Sequence, residues 1–303
     1  AQTAAKWPTA PVRFVVPFPA GSAPDVLIRL VGVKLTEKWG QAVIVDNKPG
    51  GSGVIGMNTI LSSPTDGSVF GFVQGSAISV APSTIKGVSY DFNRDFVPVT
   101  LAAVLPFMLT VPADSPYKTL AEFVAAAKAK PGSIEVADNG RGTAPHLASA
   151  LLGLQSGAQF LEVHYPGGAQ AMQATLGGQT KMMVETYNVV AGNVQGGKMR
   201  VLASMGDRVE PGLEQFPLAN ATVPGAVAYG WFAVIAPKNL PAAEVKRVHA
   251  AFSSAFATAE VKESMAKQGN VINILSPEAS AAHFRSELDK YAKLVKKAGV
   301  KLD

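Results

Sequence analysis

Three features of the sequence predict an α/β fold with two lobes. Short apolar runs of strand length alternate with segments whose apolar residues recur at the helical period, which is typical of mostly parallel sheets joined by helices. This pattern restarts after about residue 100. The chain has 303 residues, 48% of them hydrophobic, which leaves room for two domains or one large one.

The alternation places each element in order. We expect strands near 12–16, 42–46, 69–73, 97–101, 106–111, 134–136, 160–163, 180–184, 200–204 and 231–236. We expect helices near 24–39, 53–62, 119–130, 143–155, 168–176, 187–195, 242–258, 260–268 and 277–297. The strands near 97–111 and 231–236 are predicted to cross between the lobes. The uncharged stretch 218–237 has the length of a membrane span, but polar residues, Pro and Gly interrupt it, so it predicts a loop and a buried strand.

The first candidate binding loop follows the first strand, in the segment "VRFVVPFPAGSAPD". A β-branched run ends at a Pro-Phe-Pro-Ala-Gly loop, and a helix begins at the capping signature Ser22-x-x-Asp25, with Pro24 in its first turn. Free N–H groups and the helix dipole make such a loop an anion site. Because the loop has no Lys or Arg, backbone amides and hydroxyls of Ala20–Ser22 would hold the anion. Asp25 is predicted to cap the first turn, since its charge is wrong for an acid ligand.

A second loop of the same kind is "NGRGTAPHL", in which Thr143 is a plausible N-cap and Pro145 lies in the first turn. Two helix N-termini that face one cleft would clamp an anion, or both ends of a dicarboxylate. Arg141 has two possible roles in this loop. Its guanidinium either grips a distal carboxylate or points into solvent at the rim of the cleft.

Motifs of nucleotide enzymes are present only in incomplete form. The run Gly51–Gly56 matches G-x-G-x-x-G, but the next strand ends at Gln74, where a dinucleotide site needs an acidic residue. The run Gly192–Lys198 resembles a P-loop, but Met199 replaces the Ser or Thr and the order of elements is reversed. The four histidines are far apart, and there is no G-x-S-x-G and no cysteine. We therefore expect no enzyme, no metal and no cofactor.

The charge pattern and the first residues of the chain also bear on the expected function. The net charge of +5 comes from dispersed basic residues and would weakly attract anionic solutes. The C-terminal lysines, including Lys293, Lys297 and Lys301, have helical spacing and predict a solvated face, not a nucleic-acid site. The absence of cysteine and the small-residue start at 1–4 lead us to expect an exported protein whose signal peptide has been removed.

The same motifs carry a family resemblance over nearly the whole chain. The opening "VRFVVPFPAGSAPDVLIRLVGVKLTEKWGQAVIVDNKPGGSGVIG" resembles that of the tripartite tricarboxylate transporter solute receptors, the Bug-type periplasmic binding proteins. The resemblance continues in "SYDFNRDFVPVTLAA", "GRGTAPHLASALL", "VHYPGGAQAMQATLGGQTKMM" and "GWFAVIAPKNLP". It departs from the family at Arg141, where receptors usually have a small or polar residue, and at Glu185, where they often have Asp.

This resemblance implies a type II-like periplasmic binding protein, with mixed sheets flanked by helices and a ligand cleft between the lobes. Domain I would comprise 1–101 and 226–303, and domain II 102–225. The protein would be a periplasmic monomer that captures a small mono- or dicarboxylate, aliphatic or aromatic, and delivers it to the membrane subunits of a secondary transporter, with no nucleic-acid partner. The alternatives are a nucleotide-dependent α/β enzyme and a ligand-binding sensor accessory protein.

The predicted ligand-binding residues come from both candidate loops and from the ends of other strands. They are Phe18, Ala20, Gly21, Ser22, Asp25, Ser76, Ala77, Asn139, Arg141, Gly142, Thr143, His146, Tyr165, Gly167, Glu185 and Tyr187. Phe18, Trp231 and Phe232 are expected to be packing residues, and of the three, Phe18, in an exposed loop, is the one most expected to touch ligand. Glu185 would repel a carboxylate, so it is expected to shape the pocket or to select ligands that carry a donor group.

Overall fold

The computed structural model describes residues 7–300. The small-residue start at 1–4 and Lys301 lie outside the described residues. The strands are β1 (Val12–Val16), β2 (Val43–Asn47), β3 (Val69–Gln74), β4 (Phe96–Pro112), β5 (Glu135–Asp138), β6 (Leu161–His164), β7 (Met182–Thr186), β8 (Met199–Ser204), β9 (Tyr229–Pro237) and β10 (Val271–Ile272). The long helices alternate with them as predicted from the apolar periodicity.

The helices are α1 (Ala23–Trp39), α2 (Val54–Leu61), α3 (Ala81–Thr84), α4 (Phe92–Asp95), α5 (Leu120–Ala129), α6 (Ala144–Ser156), α7 (Gly168–Leu176), α8 (Tyr187–Gln195), α9 (Ala219–Thr222), α10 (Ala242–Phe256), α11 (Ala259–Lys267) and α12 (Pro277–Ala298). A π-helical turn, Ser76–Val80, leads into α3. The nine long helices begin and end within two residues of the predicted positions. Three short helices, α3, α4 and α9, and the two-residue strand β10 were not predicted, because they are too short to show a period.

One curled sheet connects the strands in the order β2-β1-β3-β9-β4-β7-β5-β6, and β8 and β10 pair with β4 beside this path. Strands β1, β2 and β3 run parallel, as do β5, β6 and β7. Every pairing of β4 or β9 is antiparallel. The expectation of mostly parallel strands is therefore wrong at the centre of the sheet, because β4 and β9 run between its two halves.

Strand β4 corrects a second expectation. The sequence predicted two strands near 97–101 and 106–111, whereas the structure has one strand of 17 residues. Its first part pairs with β9 as far as Pro106, and from Phe107 it pairs with β7. Pro106 lies where β4 changes partners, so the N–H group that proline lacks costs little there.

The glycine-rich run Gly51–Gly56 serves close packing. A Cβ atom on Gly56 would lie 2.6 Å from the Cα of Pro17, and one on Gly53 would lie 2.8 Å from the Cβ of Ala77. Both distances are shorter than side chains tolerate. The glycines bring the start of α2 against the first candidate loop and against the helical turn that follows β3.

Helix α12 contacts the cores of both halves of the sheet. Its residue Phe284 packs in the same apolar cluster as Trp231 and Ile235 of β9. Its C-terminal turns place Tyr291 and Leu294 in the cluster that surrounds β5 and β7. Predicted domain I includes α12, whereas β5 and β7 belong to predicted domain II. The predicted boundary between the domains therefore runs between the C-terminal turns of α12 and the strands against which they pack.

The packing expectations for the uncharged stretch 218–237 agree with the structure. Trp231 and Phe232 are buried, with 1% and 2% of their surface exposed. They belong to β9, the strand predicted at 231–236. Within residues 7–300, no helix combines the length and apolar character needed to cross a membrane.

Candidate ligand-binding site

In the first candidate loop, more of the backbone N–H groups donate hydrogen bonds within the protein than predicted. Ser22 is the N-cap of α1, but its side chain caps no helical N–H group, and its Oγ donates to the carbonyl of Pro19 at 2.6 Å. The Ser22 N–H also donates to Pro19. The N–H of Gly21 donates to Asp25 Oδ2 at 2.9 Å. The predicted capping box therefore does not form, because the Ser22 side chain caps no helical N–H group. Of the three backbone amides assigned to the anion, those of Gly21 and Ser22 already donate hydrogen bonds within the protein.

Asp25 is the acceptor that organises this loop. It is 3% exposed and also accepts hydrogen bonds from Arg29 and from Asn47 Nδ2, whose amide donates to the carbonyl of Phe18 as well. Burial would raise the pKa of Asp25, but the hydrogen bonds from Arg29, Gly21 and Asn47 together lower it. Asp25 was predicted to act only in the first turn of α1. Through Asn47, it also links this turn to the end of β2 and to the backbone of Phe18.

We expect Asp25→Ala to lower the free energy of unfolding by about 1–2 kcal/mol, because it removes the common acceptor of three donors. Urea unfolding at pH 7 measures the change. Arg29→Ala is the matched control, since it removes one half-exposed partner and should cost less than about 0.5 kcal/mol. A variant that unfolds like the wild type and yet binds no ligand would instead make Asp25 a direct ligand contact.

The segment after β3 links the two candidate loops. Ser76 and Ala77 are buried, and Ala77 lies against Gly53, which in turn lies beside Phe18 of the first loop. Seven residues further on, Thr84 Oγ1 donates to the carbonyl of Gly142 at 3.1 Å. Gly142 has φ +72°, and a Cβ there would lie 2.9 Å from the Cβ of Thr84, so only glycine suits this contact. The two loops thus lie at opposite ends of one helical segment.

In the second loop Thr143 is the N-cap of α6, as predicted, and Pro145 lies in the first turn. The exposed-amide expectation is wrong for this loop too. Gly140 N–H donates to Asp138 Oδ1 at 2.8 Å, and Gly142 N–H donates to His146 Nδ1 at 2.8 Å. Thr143 N–H donates back to the carbonyl of Gly140. The side chains behind the loop satisfy the amides that the sequence assigned to the ligand.

His146 belongs to a cluster that sequence spacing concealed. One ligand atom each from His146, Glu162 and His164 lie within 4.8 Å of one another, a group of the size that could hold a metal ion. However, His146 Nδ1 accepts from Gly142, so its proton is on Nε2, which donates to Glu162 at 2.9 Å. That nitrogen has no lone pair to offer a cation. The residues therefore fit a hydrogen-bond network better than a metal centre, and His146, only 3% exposed, positions Gly142.

His164 and Arg141 are two basic side chains at the edge of this network. His164 Nδ1 hydrogen-bonds to the fully buried Asp138, and this bond raises the pKa of His164. The charge of the nearby Arg141 opposes that rise. Arg141 is exposed, which is compatible with either of its predicted roles.

Glu185 and Asn139 meet at the carboxyl ends of β7 and β5, which are parallel neighbours. Asn139 Nδ2 donates to Glu185 Oε1, and Thr186 N–H donates to Glu185 Oε2 at 2.7 Å. Glu185 is 5% exposed, and burial raises its pKa to about 7 in spite of these hydrogen bonds. Sequence reasoning found both residues but not their contact.

The loop between β6 and α7 closes this part of the site. A Cβ on Gly140 would lie 3.6 Å from the carbonyl of Tyr165, and one on Gly168 would lie 3.1 Å from Glu185 Oε1. Gly167, the N-cap of α7, has no side chain with which to cap it. The structure thus brings Asn139, Tyr165, Gly167 and Glu185 together, and adds Gly168, which the sequence analysis missed.

Other predicted residues lie elsewhere. Tyr187 is 5% exposed, and its ring packs against Phe216 in an apolar cluster. The structure therefore shows a packing role for this residue, and its ligand contact stays a prediction. Phe18 is half-buried beside Gly53 in the first loop. A surface groove along α7 includes only one predicted residue. It is lined by Tyr165, Ala169, Gln170, Gln173, Ala174 and Gln179.

Comparison with known families gives one match that covers most of the chain. Residues 27–300 match the model of the "Tripartite tricarboxylate transporter family receptor". A protein of Pseudomonas sp. (strain P51), described as the UPF0065 protein in the tcbD-tcbE intergenic region, is 35% identical over 97% of this chain and 88% of its own length. Protein BugT of Bordetella pertussis is 30% identical over 98% of this chain and 91% of its own length.

Solved structures agree with this match. R. palustris Rpa4515, solved with adipate, has a TM-score of 0.90 and 26% identity, and the alignment covers 98% of this chain and all of that one. The periplasmic binding protein BugD has a TM-score of 0.85 and 28% identity over 98% of this chain and all of its own. The predicted fold class is therefore confirmed, since these proteins share the curled sheet flanked by helices. These relatives are binding proteins and not enzymes.

Proposed function

Because this chain belongs to the tripartite tricarboxylate transporter receptor family, we propose that it captures a small organic acid in the periplasm and delivers it to the membrane subunits of a secondary transporter. The chain is a solute receptor and not an enzyme, as predicted. The observation that carries the choice of ligand is the full-length likeness to Rpa4515, which was solved with adipate. A sensor that binds the same acid is the second candidate, but no feature of the site favours it.

We place the acid between two domains, for which we keep the predicted boundaries at about residues 101 and 226. The first loop, at 20–22, would form one wall, and the loops at 139–143 and 165–168 the other. Since most loop amides already have acceptors, Arg141 supplies the positive charge in this proposal. Its guanidinium would form charge-assisted hydrogen bonds with a carboxylate.

A thermal-shift screen tests the proposal. Mono-, di- and tricarboxylates, aliphatic and aromatic, are compared at equal concentration, because a ligand that binds the native state raises its apparent stability. Calorimetry on the best acid should give the same affinity with and without EDTA. Tight binding of NAD in place of acids, or loss of binding on chelation, would contradict the proposal.

Arg141 is expected to decide between mono- and dicarboxylates. Arg141→Ala should weaken a dicarboxylate by about 1.5–3 kcal/mol, the scale of a charged hydrogen bond, and the matching monocarboxylate much less. Arg141→Lys should restore part of the loss, since an ammonium group cannot reproduce the planar fork. Arg285→Ala, which removes one exposed charge from α12, is the control. Equal binding by wild type and Arg141→Ala in calorimetric titration would place Arg141 at the rim.

A further inference from the structure

One imidazole nitrogen holds Gly142 in place. The Gly142 N–H donates to His146 Nδ1 at 2.8 Å, and the carbonyl of Gly142 accepts from Thr84 Oγ1 at 3.1 Å. A Cβ on Gly142 would lie 2.9 Å from the Cβ of Thr84, so the two residues are in close contact. Thr84 belongs to predicted domain I and Gly142 to predicted domain II. The contact between them therefore joins the two predicted domains, and His146 is the acceptor that fixes one side of it.

This arrangement requires a neutral His146. A neutral imidazole has one nitrogen that accepts and one that donates, whereas an imidazolium has two donors. The ring uses both nitrogens, since Nδ1 accepts from Gly142 and Nε2 donates to Glu162 at 2.9 Å. A second proton, on Nδ1, would face the N–H group of Gly142, and that hydrogen bond would be lost. Because His146 is buried, solvent has little access to relieve the clash between the two donors.

The charges around His146 act in opposite directions. Glu162 of β6 favours a positive charge on the ring, because its carboxylate accepts from Nε2. His164 of β6 opposes that charge, since the two ring centroids are 4.5 Å apart and the bond to Asp138 raises the pKa of His164. Arg141, near His164, and the N-terminus of α6 add further positive charge. The π-helical turn and α3, on the side of Thr84, contain no charged residue.

Two more elements pack against α6. Strand β7 contributes Glu185, whose carboxylate oxygens accept from Asn139 and Thr186. Helix α12 contributes Leu294 and Val295 to the apolar cluster that surrounds β5 and β7. The carboxylate bonded to the His146 ring is therefore that of Glu162.

We propose that His146 is a proton-operated switch for the contact between Gly142 and Thr84. The neutral ring holds Gly142 against Thr84, and protonation of the ring releases Gly142. The released form binds one proton more than the closed form, so a fall in pH favours release. Histidine suits this role because its side chain titrates in the physiological range. The proposal goes beyond the proposed function, since it concerns a contact within the protein and needs no bound acid.

Amide hydrogen exchange, followed by NMR between pH 8 and pH 5, tests the switch in the wild-type protein without ligand. The protection factor of Gly142, which corrects for the pH dependence of exchange itself, should fall at least about tenfold as His146 is protonated, the scale of one hydrogen bond. The nitrogen shifts of the His146 ring report its protonation in the same sample. Gly21 is the internal control. Its N–H also donates to a side chain, but the acceptor, Asp25, has a lowered pKa and stays ionised over this range.

Three outcomes of this measurement would overturn the proposal. In the first, the protection factor of Gly142 stays constant while the ring shifts show that His146 has become protonated. In the second, Gly21 loses protection in parallel, which would indicate a general loosening of the protein. In the third, the ring stays neutral down to pH 5, so that the switch does not operate.

Two conservative variants separate the switch from a purely structural role. His146→Asn places an amide oxygen near the position of Nδ1 but has no group to titrate, so Gly142 should stay protected at both ends of the range. Glu162→Gln keeps an acceptor for Nε2 without its charge, so the fall at Gly142 should move to lower pH by about one unit. A fall in the folded His146→Asn variant would assign the effect to another group and overturn the proposal. Should that variant not fold, an unmoved midpoint in Glu162→Gln would overturn it instead.

Discussion

Glu185→Gln is expected to stabilise the protein by about 3 kcal/mol at pH 8 and to leave its stability near pH 4 almost unchanged. The carboxyl group is 5% exposed, and its pKa is raised from 4.5 to about 7, chiefly by burial. A glutamine fits the same place. Its carbonyl can accept from Thr186 N–H, and its NH2 group can donate to Asn139 once that amide turns over.

The sign follows from proton binding in the two states. Between about pH 4.5 and pH 7 the folded protein holds a proton at Glu185 that the unfolded chain has released. The free energy of unfolding therefore falls as pH rises through this window, by about 1.4 kcal/mol for each unit of pKa difference. Glutamine removes this penalty, so the difference between variant and wild type grows with pH and levels off above the folded pKa.

Urea unfolding at several pH values from 4 to 8 measures this effect. Glu263→Gln is the control, since it changes the same functional group where the side chain is exposed on α11. A constant difference between Glu185→Gln and wild type across the pH range would show that Glu185 is ionised at no cost. In that case a partner other than Asn139 and Thr186 would stabilise the carboxylate.

Trp231→Ala is expected to lower the free energy of unfolding by about 3–5 kcal/mol, as for other large aromatic residues removed from a core. Trp231 is 1% exposed on β9, and its ring stacks on Phe284 of α12 at 4.9 Å. It also packs so closely on Gly75 that a Cβ there would lie 2.3 Å from the indole. The indole thus fills the junction between β9, α12 and the turn that follows β3.

Trp231→Phe separates the two contributions of this side chain. It keeps a stacking ring but removes the indole N–H, which donates to Glu287 at 3.3 Å. We expect this variant to recover more than half of the loss, because the long hydrogen bond contributes less than the buried ring. Equal losses in the two variants, measured by denaturant unfolding, would assign the effect to the Glu287 bond instead.

The long elements were predictable because their signals are local. The apolar run of β1 and the helical period of α1 are complete within the segment that forms each element. The break predicted inside β4 failed for the converse reason. Pro106 was predicted to begin a separate strand, and only its position at the change of partners lets one continuous strand pass through it.

The candidate site was predictable at the level of loops but not of atoms. Both glycine loops precede helices as expected, yet Asp25 and His146 already accept hydrogen bonds from N–H groups of these loops. The sequence contains these acceptors but does not show which rotamers they adopt. The pair Asn139–Glu185 joins residues 46 positions apart, so its contact exists only once β5 and β7 lie side by side.

The continuity of β4 through both halves of the sheet has a consequence for cooperativity. A strand shared by two cores cannot be released from one of them without loosening the ladder that it forms in the other. Amide protons of Phe107 and Met205, which bond across this junction, should therefore exchange with deuterium only when the whole molecule unfolds. If a cleft opens, β4 and β9 would therefore twist without separating from each other. The register shifts in their pairing are the places where we expect this twisting to occur.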